Sequence, residues 1–171
     1  MPEIIIDPAK TCCFTGHRPD HLPEDFRELY SRIDTAVRQA VDDGYNTFLT
    51  GMAIGFDRMA GYTVLQLKHR GFPVRLICAV PYKGFAEGSR DEWRELSLTL
   101  LEQADAVEYI CPKSHPGCYQ LRNRWMVDHS SRVIAYYADV KGGTRDTVRY
   151  AEKKNIPVTN LFGVPMKSFS P

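Results

Sequence analysis

The run Thr47-Phe48-Leu49-Thr50-Gly51-Met52-Ala53-Ile54-Gly55-Phe56-Asp57 decides the fold. A short strand, residues 47–50, gives way to a turn bounded by two glycines. The turn opens a stretch in which Phe56, Met59, Ala60, Thr63, Val64 and Leu67 share one helical face. Gly71 and Pro73 supply the stop. Strand, glycine turn and amphipathic helix are the first two-thirds of a β–α–β unit, the unit from which parallel sheets are built.

The same alternation extends in both directions. Upstream, residues 11–15 read as a strand, and apolar residues from Phe26 to Val41 recur three and four apart before Gly44. Downstream, residues 74–80 form a strand closed by Pro81. Ser89-Arg90-Asp91-Glu92 has the form of a capping box opening a helix that runs to about residue 103. Residues 106–110 are a fourth strand, 111–118 a loop rich in Pro, Gly and Ser, and 119–130 a short helix. Residues 132–137 are a fifth strand, a helix runs from Gly142-Gly143-Thr144 to about 154, and 157–161 is a final strand. Strands separated by helices predict an α/β domain: a doubly wound, mostly parallel sheet of about six strands with helices on both faces. One domain spans 1–171, with a core of about 9–163 and a tail at 164–171.

Composition agrees and excludes some functions. The 171 residues are 43% hydrophobic and 25% charged, ordinary for a globular domain. Lys plus Arg is 22 against 21 for Asp plus Glu, a net charge of +1. That balance argues against gripping nucleic acid mainly by bulk charge. No apolar run approaches the ~18 residues of a membrane span, and the N-terminal residues have neither the signal-peptide nor the transit-peptide pattern. Five cysteines, two of them adjacent, are read as reduced thiols in a cytoplasmic protein.

The unusual residues fall at one end of the predicted sheet. Gly16-His17-Arg18 follows the first strand, Gly51 to Gly55 the second, Pro81-Tyr82 the third, and Gly142-Gly143-Thr144 the fifth. In open α/β sheets, ligands bind outside the carboxyl ends of the strands. Glycine lets backbone approach closely, and the free N–H groups of a helix start attract anions. The pattern therefore points to a phosphate. Each turn taken singly can equally be a tight strand-to-helix connection. The sequence has neither a Gly-x-x-x-x-Gly-Lys-Ser/Thr loop nor a Gly-x-Gly-x-x-Gly after the first strand, which removes the two commonest nucleotide fingerprints.

The remaining candidates each have a plainer alternative. Asp57 either hydrogen-bonds a ribose hydroxyl or simply complements a helix dipole. Arg122 and Asn123 either meet a phosphate and a base or ribose edge, or lie on a solvated helix face with Trp125 and Met126 in the core. His17 and Arg18 either clamp a phosphate or are a structural pair, with Pro19 holding Arg18 extended. Cys111, His115 and Cys118 are three potential metal ligands, but the spacing fits no common zinc signature and no fourth ligand is local. That stretch is read as a Pro-kinked loop, and no metal is assigned. Cys12 and Cys13 are expected to be inert core residues facing opposite sides of a buried sheet.

Together these pieces resemble a known family. Phe14-Thr15-Gly16-His17-Arg18-Pro19, Leu49-Thr50-Gly51 through Asp57, Ala79-Val80-Pro81-Tyr82, Arg122-Asn123-Arg124-Trp125-Met126-Val127-Asp128 and Gly142-Gly143-Thr144-Arg145-Asp146 look like the YpsA-type branch of the SLOG superfamily. The resemblance implies a Rossmann-like fold. It implies similarity to DNA-processing protein A, which handles single-stranded DNA, and to the LONELY GUY enzymes, which cleave the N-glycosidic bond of nucleoside monophosphates. It further implies a nucleotide-type ligand such as ADP-ribose, NAD or a nucleoside monophosphate, held by Gly51, Gly55 and Asp57 on one side and Gly142, Gly143 and Thr144 on the other. Gly16, Arg18, Arg122 and Asn123 would lie nearby. The LONELY GUY Pro-Gly-Gly-x-Gly-Thr-x-x-Glu is not matched, because Lys141-Gly142-Gly143-Thr144-Arg145-Asp146-Thr147 lacks its second Gly-Thr step and its Glu.

The expectation is thus a cytoplasmic protein that binds a small phosphorylated nucleotide, as a sensor. A nucleotide N-glycosidase is the enzymatic alternative, with Asp57, Asp128 or Asp146 as its carboxylate. A single-stranded DNA binder is the third, with Tyr82, Trp93, Tyr119 and Trp125 as candidate stacking residues and a core role as the plainer reading of the two tryptophans. Homodimerisation, common in related folds, stays open.

Overall fold

Cys12 and Cys13 are both fully buried, and they belong to two different apolar cores. Successive strand residues point to opposite faces, so the sheet is covered on both sides, as expected. Phe48 and Leu49 divide in the same way. The computed structural model describes residues 4–163; the 164–171 tail expected from the sequence lies outside them.

The sheet consists of β1 (Thr11–Gly16), β2 (Thr47–Thr50), β3 (Arg75–Tyr82), β4 (Ala106–Cys111), β5 (Arg132–Tyr136) and β6 (Val158–Asn160). The five α-helices are α1 (Phe26–Asp42), α2 (Phe56–His69), α3 (Asp91–Gln103), α4 (Cys118–Asp128) and α5 (Gly143–Lys153). All strand pairs are parallel, in the order β4-β3-β2-β1-β5-β6. Helices α1, α2 and α3 cover one face and pack on Phe14, Phe48 and Leu76; α4 and α5 cover the other and pack on Leu49, Ile77 and Val133. The chain is an α/β protein of Rossmann-like arrangement. Strand order reverses at β1, whose neighbours are β2 and β5. The turns after β1 and β5 therefore diverge and leave a crevice between them.

Two local expectations are corrected. β3 does not stop at Pro81 but continues to Tyr82, which pairs with Cys111. Beyond Cys78 the strand has lost β2 as a neighbour, and a proline is tolerated where one ladder is already missing. The capping box is not formed. Ser89 Oγ donates to the Ala86 carbonyl at 3.2 Å, inside a preceding 3₁₀ turn, and α3 starts at Asp91 after an Arg90 that provides no side-chain cap. No helix among the described residues is long and apolar enough to cross a membrane.

Candidate functional site

The crevice is a cavity of about 930 Å³ at the carboxyl ends of β1 and β5, within the size range of small-molecule sites. Its walls come from the turn after β1, the start of α2, the inner face of α4 and the start of α5.

The turn after β1 is fixed by close packing. A Cβ at Gly16 would lie 2.3 Å from the Phe56 ring, so only glycine fits. His17 is buried, and its Nε2 accepts the Ala138 N–H at 2.8 Å. That nitrogen therefore carries no proton. Burial first, and then His21, keep the imidazole below its usual pKa. The expected pair of cations reduces to Arg18, which stays extended at φ −71°, ψ 166° and lines the cleft.

The Gly51–Gly55 turn serves a different purpose from the cradle read in the sequence. Gly55 has φ +102°, a Cβ there would sit 2.6 Å from the His17 carbonyl oxygen, and the Phe56 N–H donates to that oxygen at 3.2 Å. The first amide of α2 is thus consumed by the protein itself. A Cβ at Gly51 would strike the Arg122 side chain, which donates from Nη1 to the Gly51 carbonyl. Both glycines are packing positions behind the cleft, and from this segment Ala53 and Asp57 reach its wall.

Asp57 and Arg122 form the floor. Each is 4% exposed. Arg122 Nε donates to Asn123 Oδ1 at 2.7 Å, and its guanidinium carbon lies 5.8 Å from the centre of the Tyr119 ring. Burial lowers the Arg122 pKa, and Asp57 opposes that. Among the described residues, Asp57 Oδ1 has no hydrogen-bond partner. Burial pushes its carboxyl up to about 6, with Arg122 and the amides of Ala53 and Gly16 pulling the other way. A buried acceptor without a donor is costly, and the residue that carries it contributes to the cleft floor.

The opposite wall is the start of α5. Gly142 and Gly143 line the cleft, and added Cβ atoms there would meet nothing closer than Asn123 Nδ2, 3.9 Å from the Gly143 position. The helix has no side-chain cap, and its first internal bond runs from the Asp146 N–H to the Gly142 carbonyl at 3.1 Å. The amides of Gly143, Thr144 and Arg145 have no backbone acceptor among the described residues. They form the end of the helix dipole that favours negative charge. Thr144 stands beside them on the cleft wall.

Charge is concentrated here. Arg18, Arg122, Arg124, Lys141, Arg149 and Lys153 line the cavity against three carboxylates, Asp20, Asp57 and Asp146. The local excess of three positive charges contrasts with +1 for the chain. Arg145 stands apart, 4.0 Å from Asp139. At the rim, Tyr119 is 45% exposed beside Phe85, with ring centroids 5.8 Å apart.

Of the residues singled out in the sequence, Gly16, His17, Arg18, Asp57, Arg122, Asn123, Gly142, Gly143 and Thr144 come together on this cleft. Four do not line it. Gly51 and Gly55 lie behind the wall. Tyr82 sits under the rim, its hydroxyl 3.4 Å from that of Tyr119. Asp128 accepts from Tyr150 Oη at 2.7 Å and pairs with Lys154. The sequence reading overlooked Phe85, Arg149 and Lys153. It also overlooked Arg58, which is wholly buried and donates to the carbonyls of Met52 at 2.8 Å and Trp93 at 2.7 Å, tying the Gly51–Gly55 turn to α3. Arg149 and Lys153 are four apart on one helix face, a legible spacing. Arg58 gives no such signal.

The model of the YspA SLOG family matches residues 12–161. The chain belongs to that family. Similar proteins include the SPbeta prophage-derived protein YoqJ of Bacillus subtilis strain 168, 33% identical over 118 residues, which are 62% of this chain and 69% of YoqJ. A UPF0398 protein of Bacillus thuringiensis strain Al Hakam is 25% identical over 162 residues, 88% of this chain and 86% of its own. Among solved structures, DNA processing protein A from Helicobacter pylori, described for its single-stranded DNA binding mode, superposes with a TM-score of 0.63 at 21% identity. The Streptococcus pneumoniae protein of the same name gives 0.62 at 13%. This SLOG chain is covered to 89% and 92% in these superpositions but spans 64% and 53% of the two larger chains. At such identities the likeness is one of fold.

Proposed function

We propose that the cleft binds a phosphorylated nucleotide. The observation that carries this reading is the pairing, across one cavity, of an uncapped helix start with a buried carboxylate of which one oxygen, Asp57 Oδ1, has no hydrogen-bond partner among the described residues. A phosphate accepts from the Gly143–Arg145 amides, with Arg18 and Arg122 adding charge. A sugar hydroxyl then donates to the Asp57 carboxylate, and the base lies against Tyr119 and Phe85. Thermal-shift measurements with ADP-ribose, NAD, AMP and cyclic nucleotides test it. At least one should raise the melting temperature. Gly143→Leu should abolish the rise while leaving the unliganded protein folded, since the site has room for a Cβ. No stabilisation by any of them, far above physiological concentration, rejects the reading.

A second reading, single-stranded DNA in the same cleft, is favoured by a separate observation: the fold likeness to DNA processing protein A. This comparison supports DNA more than it supports a free nucleotide, whereas the enclosed floor supports the nucleotide. In its favour, Arg149 and Lys153 extend the cationic wall along α5, and Tyr119 offers a stacking face. Anisotropy of a labelled oligothymidylate decides it: saturable binding that free nucleotides do not compete away would put this reading first.

A further inference from the structure

The loop between β4 and α4, read in the sequence as a Pro-kinked loop with no metal, is not part of the cleft lining. Cys111 ends β4, Cys118 begins α4, and His115 stands between them. The fold brings their ligand atoms, two sulfurs and a ring nitrogen, within 4.8 Å of one another. Both cysteines are buried and unpaired, and His115 is exposed.

The surrounding groups orient the imidazole, while the Cys118 Sγ donates to the Lys113 carbonyl at 3.6 Å, a proton it would release to a metal. His115 Nδ1 lies 2.8 Å from the Pro116 carbonyl oxygen. A carbonyl can only accept, so Nδ1 carries the proton and Nε2 keeps its lone pair free. Fixing a ligand tautomer through the other ring nitrogen is how metal-binding histidines are oriented. The His115 N–H donates to Cys118 Sγ at 3.3 Å, a bond that also suits a thiolate. Gly117, at φ +91°, permits the tight turn in which the Cys118 N–H reaches the His115 carbonyl at 3.2 Å. Two sulfurs and one imidazole are a donor set that selects zinc over magnesium or calcium. Tetrahedral bonds of ~2.3 Å to sulfur and ~2.1 Å to nitrogen place ligand atoms about 3.5–3.8 Å apart. The loop therefore needs to close by roughly 1 Å at its widest.

We propose that Cys111, His115 and Cys118 bind a zinc-class divalent ion, with solvent completing the fourth position on the exposed side. Both thiols release their protons on binding, and no redox change is involved. The ion would fasten the end of β4 to the first residue of α4. Because α4 carries Tyr119, Arg122 and Asn123, the ion would also fix one wall of the cleft. The site is independent of what the cleft binds.

Cobalt(II) titrated into the reduced, chelator-treated full chain tests this. One equivalent should bind with thiolate-to-cobalt charge transfer in the near ultraviolet and the visible bands of a tetrahedral ion. Zinc should displace it. Cys111→Ser and Cys118→Ser should each lose most of the charge-transfer band, and His115→Ala should weaken binding roughly tenfold or more. Absence of the band, or a band that survives in the Cys111→Ser/Cys118→Ser double variant, overturns the proposal. Should either serine variant fail to fold, maleimide labelling of the unaltered protein gives the answer. Zinc should protect Cys111 and Cys118; unchanged labelling, or a Cys111–Cys118 disulfide forming equally fast with zinc present, overturns it.

Discussion

Asp57 carries a cost that the unliganded fold does not recover. Its carboxyl titrates at about 6 in the folded protein against 3.8 in its ordinary state. The folded chain thus holds a proton that the unfolded chain gives up. This contribution is fully present below pH ~4 and is lost as pH rises through 6, which amounts to about 3 kcal/mol at neutral pH. Asp57→Asn should therefore melt above the unaltered protein at pH 7.5, and the gap should close by pH 4. The same variant should lose stabilisation by nucleotide, because its amide no longer provides the anionic acceptor. Equal melting of the two proteins at pH 7.5 would show that the carboxylate is satisfied in solution. Glycines give a second contrast at this scale. Gly55→Ala forces a Cβ to 2.6 Å from the His17 carbonyl at φ +102° and should cost about 2 kcal/mol or more in urea unfolding. Gly143→Leu meets neither obstacle, so its effect should appear in binding alone.

At the scale of elements, His17 ties the turn after β1 to the end of β5 through its N–H on the Tyr136 carbonyl at 3.3 Å, and to the turn after β5 through its Nε2, which accepts the Ala138 N–H. Protonating His17 removes the acceptor. Its folded pKa lies below 6.5, so the unfolded chain takes up the proton first and stability falls as pH drops below that value. Asp57 works in the opposite direction, so the effect is best read in Asp57→Asn protein. There, urea unfolding should show lower stability at pH 5.5 than at 7.5, and His17→Gln, whose amide oxygen can accept the same N–H, should flatten the difference. An unchanged slope would mean that the two turns are held together by other contacts. The elements themselves were legible where periodicity and glycine agreed: residues 47–50 are a strand and Phe56–His69 a helix, as the opening stretch predicts. Side-chain alternation also placed Cys12 and Cys13 on opposite faces. What could not be read was which side chains from distant segments fill a turn. Gly51 to Gly55 has the composition of a phosphate cradle, yet Arg122, 71 residues away, fills one end and the His17 carbonyl the other. The capping box failed for a different reason: α3 starts at Asp91, which puts Arg90 rather than Ser89 at its N-cap.

For the whole molecule, net charge and local charge give different expectations, and salt separates them. The chain is nearly neutral, but its cleft has six cationic side chains against three carboxylates. A polymeric strand brings condensed counterions, and each neutralised phosphate releases them, giving a slope of about −0.7 per contact in log affinity against log salt. If all six cations met phosphates of one strand, the slope would approach about −4, or roughly 250-fold weaker binding between 50 and 200 mM salt. A free nucleotide has no condensed atmosphere to release. Its binding responds only to screening, and contacts on the buried floor formed by Asp57 and Arg122 are screened least. Nucleotide affinity should then change only a few-fold over the same range. Charge reversal at Arg149 and Lys153, both exposed on α5, extends the contrast. It should leave nucleotide affinity within a few-fold, because the phosphate sits on the helix start, while reducing both strand affinity and the salt slope. A steep slope for the free nucleotide, or loss of its binding on reversing those two charges, would move the phosphate off the helix start and onto the outer wall of α5.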